Sequence, residues 1–167
     1  FKGNLQNIPL AKQAGLPVLF KDFVFTFEQI DAAAAVGADC VLLVVKVADR
    51  LGKELDPLIE HAHKKGLEVL LESYDADEVR KAMKTDADVL GINNRELTTL
   101  NVDIGRTERI LDVVELDRPL ISESGIKNAD DVARVKSVGA RGALVGTAIW
   151  KADDLKAKIR ELKSGAQ

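Results

Sequence analysis

The chain has 167 residues, 46% of them hydrophobic and 31% charged, with a formal net charge of -3, enough for a single domain over residues 1–167 with a buried core. The acidic balance and an aromatic content of only 4% exclude a basic, aromatic-studded nucleic-acid surface. No apolar run approaches the roughly 20 residues of a membrane helix, no secretory pattern opens the chain, and the lone Cys40 has no internal disulfide partner, so a reducing, cytoplasmic setting is expected.

In chain order, FKGNLQNIPLAKQAGLP reads as a loop and helix feeding a strand, PVLF from Pro17, which ends on Lys21 and Asp22. FEQIDAAAAV is a helix capped by Thr26. VGAD leads into CVLLVVKV, where Cys40 reads as a small buried hydrophobe and Lys46 marks the strand end. LDPLIEHAHKK is helical; His61 and His63 stand two apart, do not face one another, and are expected to be solvated, with no metal site.

LEVLLE ends on Glu72 and Ser73, and DADEVRKAMK opens with Asp75 and Glu78 three residues later, a capping-box spacing. TDAD precedes DVLGI, which runs into Asn93, Asn94 and Arg95. GRTERILDVV is helical, PLIS ends on Glu123 and Ser124, and NADDVARVKSV follows behind the cap Asn128. VGAR then leads to GALVG and to Gly146 and Thr147, while Gly37, Gly66 and Gly139 close three of the helices.

Six short runs that are apolar at consecutive positions describe strands buried on both faces, hence a parallel sheet with helical crossovers. Polar residues collect at the end of each run and never at its start. A rim that receives chemistry from every strand is the arrangement of a β/α barrel. A doubly wound sheet gathers its site at one switch point behind G-x-G-x-x-G, which is absent. A closed barrel has eight strands and about 250 residues. The expected fold is therefore a partial (β/α)8 TIM barrel with six β/α units, strands three to eight, the first two units lying outside this chain.

On that rim, Gly125 and Gly146, with hydroxyls from Ser124 and Thr147, suit a phosphate at helix N-termini after the last two strands. Either glycine alone reads as a turn residue; the pair points to an anion. Lys21 forms either a structural ion pair, with Asp22 or with Glu72, or together with Glu72 an acid and base that deliver and remove protons on one substrate. Asn93 offers an amide, and Arg95 a guanidinium suited to a carboxylate. Lys46 is less informative and neutralises nearby carboxylates.

The motifs LPVLFKDFV, GADCVLLVVKV, GLEVLLES, DVLGINNREL, LISESGI and GALVGTAIW, in this order, resemble the strands of indole-3-glycerol phosphate synthase, and FKGNL resembles the segment after that family's second strand. The resemblance spans essentially the whole chain. It implies a lyase of tryptophan biosynthesis that closes the pyrrole ring of carboxyphenylamino-deoxyribulose 5-phosphate with loss of CO₂ and water, without a cofactor. It further implies Lys21 as general acid, Glu72 as base and Asn93 as the group orienting them. Arg95 and Glu123 then hold the anthranilate carboxylate region and the sugar hydroxyls, and Ser124, Gly125, Gly146 and Thr147 line the phosphate pocket.

The family's first-strand Glu and Lys and its Ser-Pro-Ser loop have no counterpart here, so the chain is expected to be impaired alone. Open, long apolar sheet edges at PVLFKDF and GALVGT are expected to recruit copies of the chain or an N-terminal piece, unless the chain is the ordered remainder of a longer polypeptide. Two other readings remain: a different sugar-phosphate barrel enzyme, and a non-catalytic assembly module.

Overall fold

The structure, a computed structural model, describes residues 3–167; Phe1 and Lys2 of the FKGNL motif lie outside the described residues. The chain forms two compact units, the first running to Glu72 and including Lys81–Val89, the second comprising Ser73–Arg80 and Leu90–Gln167.

In the first unit, helix α1 (Asn7–Lys12) precedes β1 (Leu19–Phe20), α2 (Phe27–Ala35), β2 (Cys40–Val44), α3 (Val45–Leu51), α4 (Leu55–Lys64) and β3 (Glu68–Ser73). β1 pairs with β2, and β2 with β3, all parallel, with Val44 opposite Glu72. Consecutive burial along Val41, Leu42, Leu43 and Val44, and along Val69, Leu70 and Leu71, is the pattern of strands covered on both faces.

The second unit holds most of α5 (Ala76–Ala82), then β4 (Val89–Asn93), α6 (Gly105–Leu111), β5 (Leu120–Glu123), α7 (Ala129–Ser137), β6 (Gly142–Leu144), α8 (Thr147–Trp150) and α9 (Leu155–Ser164). β4 pairs with β5 and β5 with β6, again parallel, with Asn93 opposite Glu123 and Glu123 opposite Leu144. Within each unit the strand order follows the chain order.

The caps read from sequence carry their hydrogen bonds. Thr26 Oγ1 accepts from Gln29 N while Gln29 Oε1 accepts from Thr26 N, so the partner three residues on is Gln29. Asp75 Oδ1 accepts from Glu78 N, and Glu78 reaches back to Tyr74 N. The repeated VGAD and TDAD loops have a shared use. Asp39, just before β2, accepts from Val18 N at 2.6 Å, and Asp88, just before β4, accepts from Val69 N at 2.7 Å. Each aspartate thus satisfies an amide at or near the start of an earlier strand.

Three expectations change, and one helix joins the elements read from sequence. Lys46 is no strand-end residue: β2 stops at Val44, and Val45 and Ala48, three apart, bury one side of α3. His61 and His63 are not simply solvated, because Asp31 and Asp88 hold them at 2.8 and 2.9 Å, and the His61 ring lies 4.7 Å from that of Phe27. The edge strands are not long: β1 has two residues and β6 three, and such shortness itself blunts an edge. The amphipathic C-terminal helix α9, unrecognised in the sequence, is capped by Asp154 and packs on α7. Cys40 is half-buried, and burial pushes its thiol up to about 11.

No helix among the described residues is long and apolar enough to cross a membrane.

Candidate active site

In the first unit, Lys21 leaves the carboxyl end of β1 and Glu72 lies near the carboxyl end of β3. Their side chains meet, with Nζ 3.2 Å from Oε2. Glu72 is 3% exposed, whereas the lysine side chain retains 38% of its accessible surface. A buried carboxylate gripping a half-open ammonium is an ion pair whose solvent-facing member can still meet a ligand. The contact is also within proton-transfer reach.

In the second unit, Asn93 and Glu123 stand side by side at the ends of β4 and β5, 7% and 1% exposed. Asn93 Oδ1 accepts from the Arg95 amide at 2.9 Å, which turns the chain off the strand. Arg95 pairs in antiparallel fashion with Val102, and one guanidinium nitrogen donates to Leu100 O at 3.3 Å. The arginine expected to grip a carboxylate is thus folded onto its own loop.

Ser124 and Gly125 both adopt left-handed backbone, with φ of 66° and 84°. At Gly125 a side chain is further barred by packing, because an added Cβ would lie 2.6 Å from Val102 Cγ1. Gly146 differs. Its φ is -115° and an added Cβ would meet nothing within 4 Å, so neither backbone nor packing demands glycine there. Its bareness leaves backbone open to a close-approaching group. Gly146 caps the four-residue α8, with Thr147 the first helical residue. After β5, by contrast, Gly125 stands apart from the helix start, since α7 begins only at Ala129 behind the Asn128 cap. Because β5 and β6 are adjacent and parallel, Ser124–Gly125 and Gly146–Thr147 emerge at the same end of neighbouring strands.

Asn94, read from sequence only as a strand-end residue, forms a buried hub with Thr107 and Ser122, which were not singled out. Asn94 Nδ2 donates to Ser122 Oγ at 3.0 Å and to Ser124 O at 3.1 Å. Its Oδ1 accepts from Thr107 N at 3.2 Å and from Thr107 Oγ1 at 2.9 Å. Asn94, Thr107 and Ser122 are each 0% exposed. The only available signal was the doubled asparagine at the end of the fourth apolar run. Nearby, the Arg106 guanidinium sits 3.6 Å over the Tyr74 ring. Burial, then a hydrogen bond with Glu96, raises the Tyr74 phenol, with Arg106 opposing.

Among the described residues no group of three or more His, Cys, Asp or Glu side chains is arranged to hold a metal ion.

The family model for indole-3-glycerol phosphate synthase matches residues 1–162. The chain belongs to the indole-3-glycerol phosphate synthase family. It is 40% identical over 152 residues to the indole-3-glycerol phosphate synthase of Sulfurisphaera tokodaii, covering 91% of this chain and 60% of that protein. It is 34% identical over 166 residues to the Campylobacter concisus synthase, covering 99% and 63%. This member thus spans about three-fifths of the length of these relatives. Among solved structures it resembles 3-hexulose-6-phosphate synthase from Salmonella typhimurium, with a TM-score of 0.77 and 18% identity over 97% of this chain and 79% of that one. That likeness shows the fold, a partial (β/α)8-class barrel with six β/α units.

Proposed function

We propose that this chain carries the C-terminal share of an indole-3-glycerol phosphate synthase. In this reading the intact protein is a lyase of tryptophan biosynthesis that converts carboxyphenylamino-deoxyribulose 5-phosphate to indole-3-glycerol phosphate. The aromatic carbon bearing the carboxylate attacks the ribulose carbonyl carbon, and Lys21 gives its proton to the carbonyl oxygen as the new carbon–carbon bond forms. The carbon–carboxylate bond then breaks, CO₂ leaves, and its electron pair restores the aromatic ring. The new hydroxyl takes a proton from solvent and departs as water, while Glu72 takes the proton from the adjacent ring CH₂ whose loss completes the pyrrole.

Asn93 is the orienting amide. Arg95, once released from Leu100, and Glu123 address the anthranilate carboxylate region and the sugar hydroxyls. Ser124, Gly125, Gly146 and Thr147 line the phosphate pocket. The observation that carries this reading is the Lys21–Glu72 contact at 3.2 Å between residues 51 apart in sequence, formed by an acid and a base at two strand ends. Family membership supports the reaction, and the unneeded glycine at 146 supports the phosphate.

The proposal includes a single cooperative domain over residues 1–167, a cytoplasmic setting, and an association through the outer sides of β1 and β6. Each of these strands pairs on one side only among the described residues. The association is either with copies of the chain or with a segment N-terminal to it.

The test is ring closure followed by indole fluorescence, with the chain alone and with an N-terminal fragment of a family member added. Turnover that rises on complementation supports the proposal. No turnover and no binding of indole-3-glycerol phosphate under either condition would leave a non-catalytic module.

A further inference from the structure

Resting on that reading of the site, we infer that Asn94, which contacts no proposed substrate group, is the positioning residue that fixes the Ser124–Gly125 turn. Ser124 is a residue with a side chain in left-handed backbone, φ 66°, a conformation that is unfavourable for any L-residue. Such a turn persists only where its surroundings over-determine it. Asn94 supplies that constraint twice. Its side-chain Nδ2 donates to the Ser124 carbonyl at 3.1 Å. Its backbone carbonyl accepts from Asp103 N at 2.9 Å, next to Val102, whose Cγ1 occupies the space a Cβ on Gly125 would need.

The amide orientation is dictated by its partners. Thr107 N can only donate, so the atom facing it must be the oxygen and the other must be the nitrogen. Both Nδ2 protons are then used, one on Ser122 Oγ and one on Ser124 O. Ser122 Oγ, having accepted from Asn94, donates onward to Thr107 Oγ1 at 2.8 Å. The hub is fully satisfied and fully buried, which makes it rigid. It joins the ends of β4 and β5 to the start of α6, so the turn beside the proposed phosphate pocket is held by three elements at once.

The test uses Asn94→Asp. The carboxylate still accepts from Thr107 but faces the Ser124 carbonyl with an acceptor instead of a donor. Calorimetric titration with indole-3-glycerol phosphate, and with inorganic phosphate as the minimal probe, is expected to show about tenfold weaker binding for N94D. In a Ser124→Gly background, where glycine takes the left-handed turn unaided, adding N94D is expected to weaken binding by less than about twofold. Thr85→Ala, which removes a buried hydrogen bond to Ala82 O in the first unit, is the control for stability loss alone and should leave the affinity unchanged. Should N94D fail to fold, Asn94→Ala serves with the same expected pattern.

Equal binding by wild type and N94D, or a full tenfold loss persisting in the glycine background, overturns the positioning role alone. A wild-type chain that binds neither probe overturns the functional reading, and the positioning role with it.

Discussion

Lys21 Nζ lies 3.2 Å from Glu72 Oε2, and the carboxylate side chain is 4% exposed while the lysine side chain is 38% exposed. The asymmetry gives the two residues different consequences on mutation.

Lys21→Met is expected to destabilise the chain by about 1–2 kcal/mol, less than a fully buried pair because the ammonium is partly solvated. Glu72→Gln keeps the shape and can still accept a hydrogen bond, so its stability loss should be smaller. In the complemented ring-closure assay either change should lower kcat by about a hundredfold or more. Urea midpoints and single-turnover rates measure the two effects separately. Full turnover in Lys21→Met would remove the general-acid role.

Gly125→Ala meets two obstacles, a φ of 84° and a Val102 methyl 2.6 Å from the new Cβ. The expected cost is about 1–3 kcal/mol. Adding Val102→Ala should recover only the steric part, because the backbone strain stays. Complete recovery in the double variant would mean that the left-handed backbone costs nothing.

Acid stability should depend on Asp39. The Lys12 ammonium, and after it the Val18 amide, hold this carboxyl below its usual 3.8. A lowered folded value means that the unfolded chain binds the proton more readily. The stabilisation is therefore complete above about pH 4 and is lost as pH falls through the lowered value. Asp39→Asn should flatten that acid limb in a pH series of thermal melts. An unchanged limb would show that the clasp is broken in solution.

Cys40, with its thiol pushed up to about 11 from 9.0 by burial, holds roughly a hundredfold less thiolate than an ordinary cysteine. Iodoacetamide at pH 8 should label it slowly in the folded chain and rapidly in denaturant, as read by mass. Equal rates in both conditions would count against a buried thiol.

What was legible in the sequence is what depends on neighbours along the chain. The apolar runs located the six strands of the described residues, and the Thr26, Asp75 and Asn128 caps and three closing glycines located helix ends, because periodicity and capping are local. Strand ends alone mark Lys21, Glu72, Asn93 and Glu123 as residues at or beside the carboxyl ends of their strands. Where local signals overlap they mislead: VVKV reads as continued strand, yet Val45 and Ala48 pack as a helical face.

Only the tertiary structure decided which of those residues meet. Lys21 and Glu72 are 51 positions apart, and their contact follows from the parallel register through β2, which no local pattern specifies. The same holds for Asn94, whose partners Thr107, Ser122 and Ser124 come from other elements, and for Arg95, turned onto Leu100. A side chain's type and its place on a strand are written locally, but its hydrogen-bond partner is set by how separate segments align. For that reason the sequence named the groups, and the packing assigned their geometry.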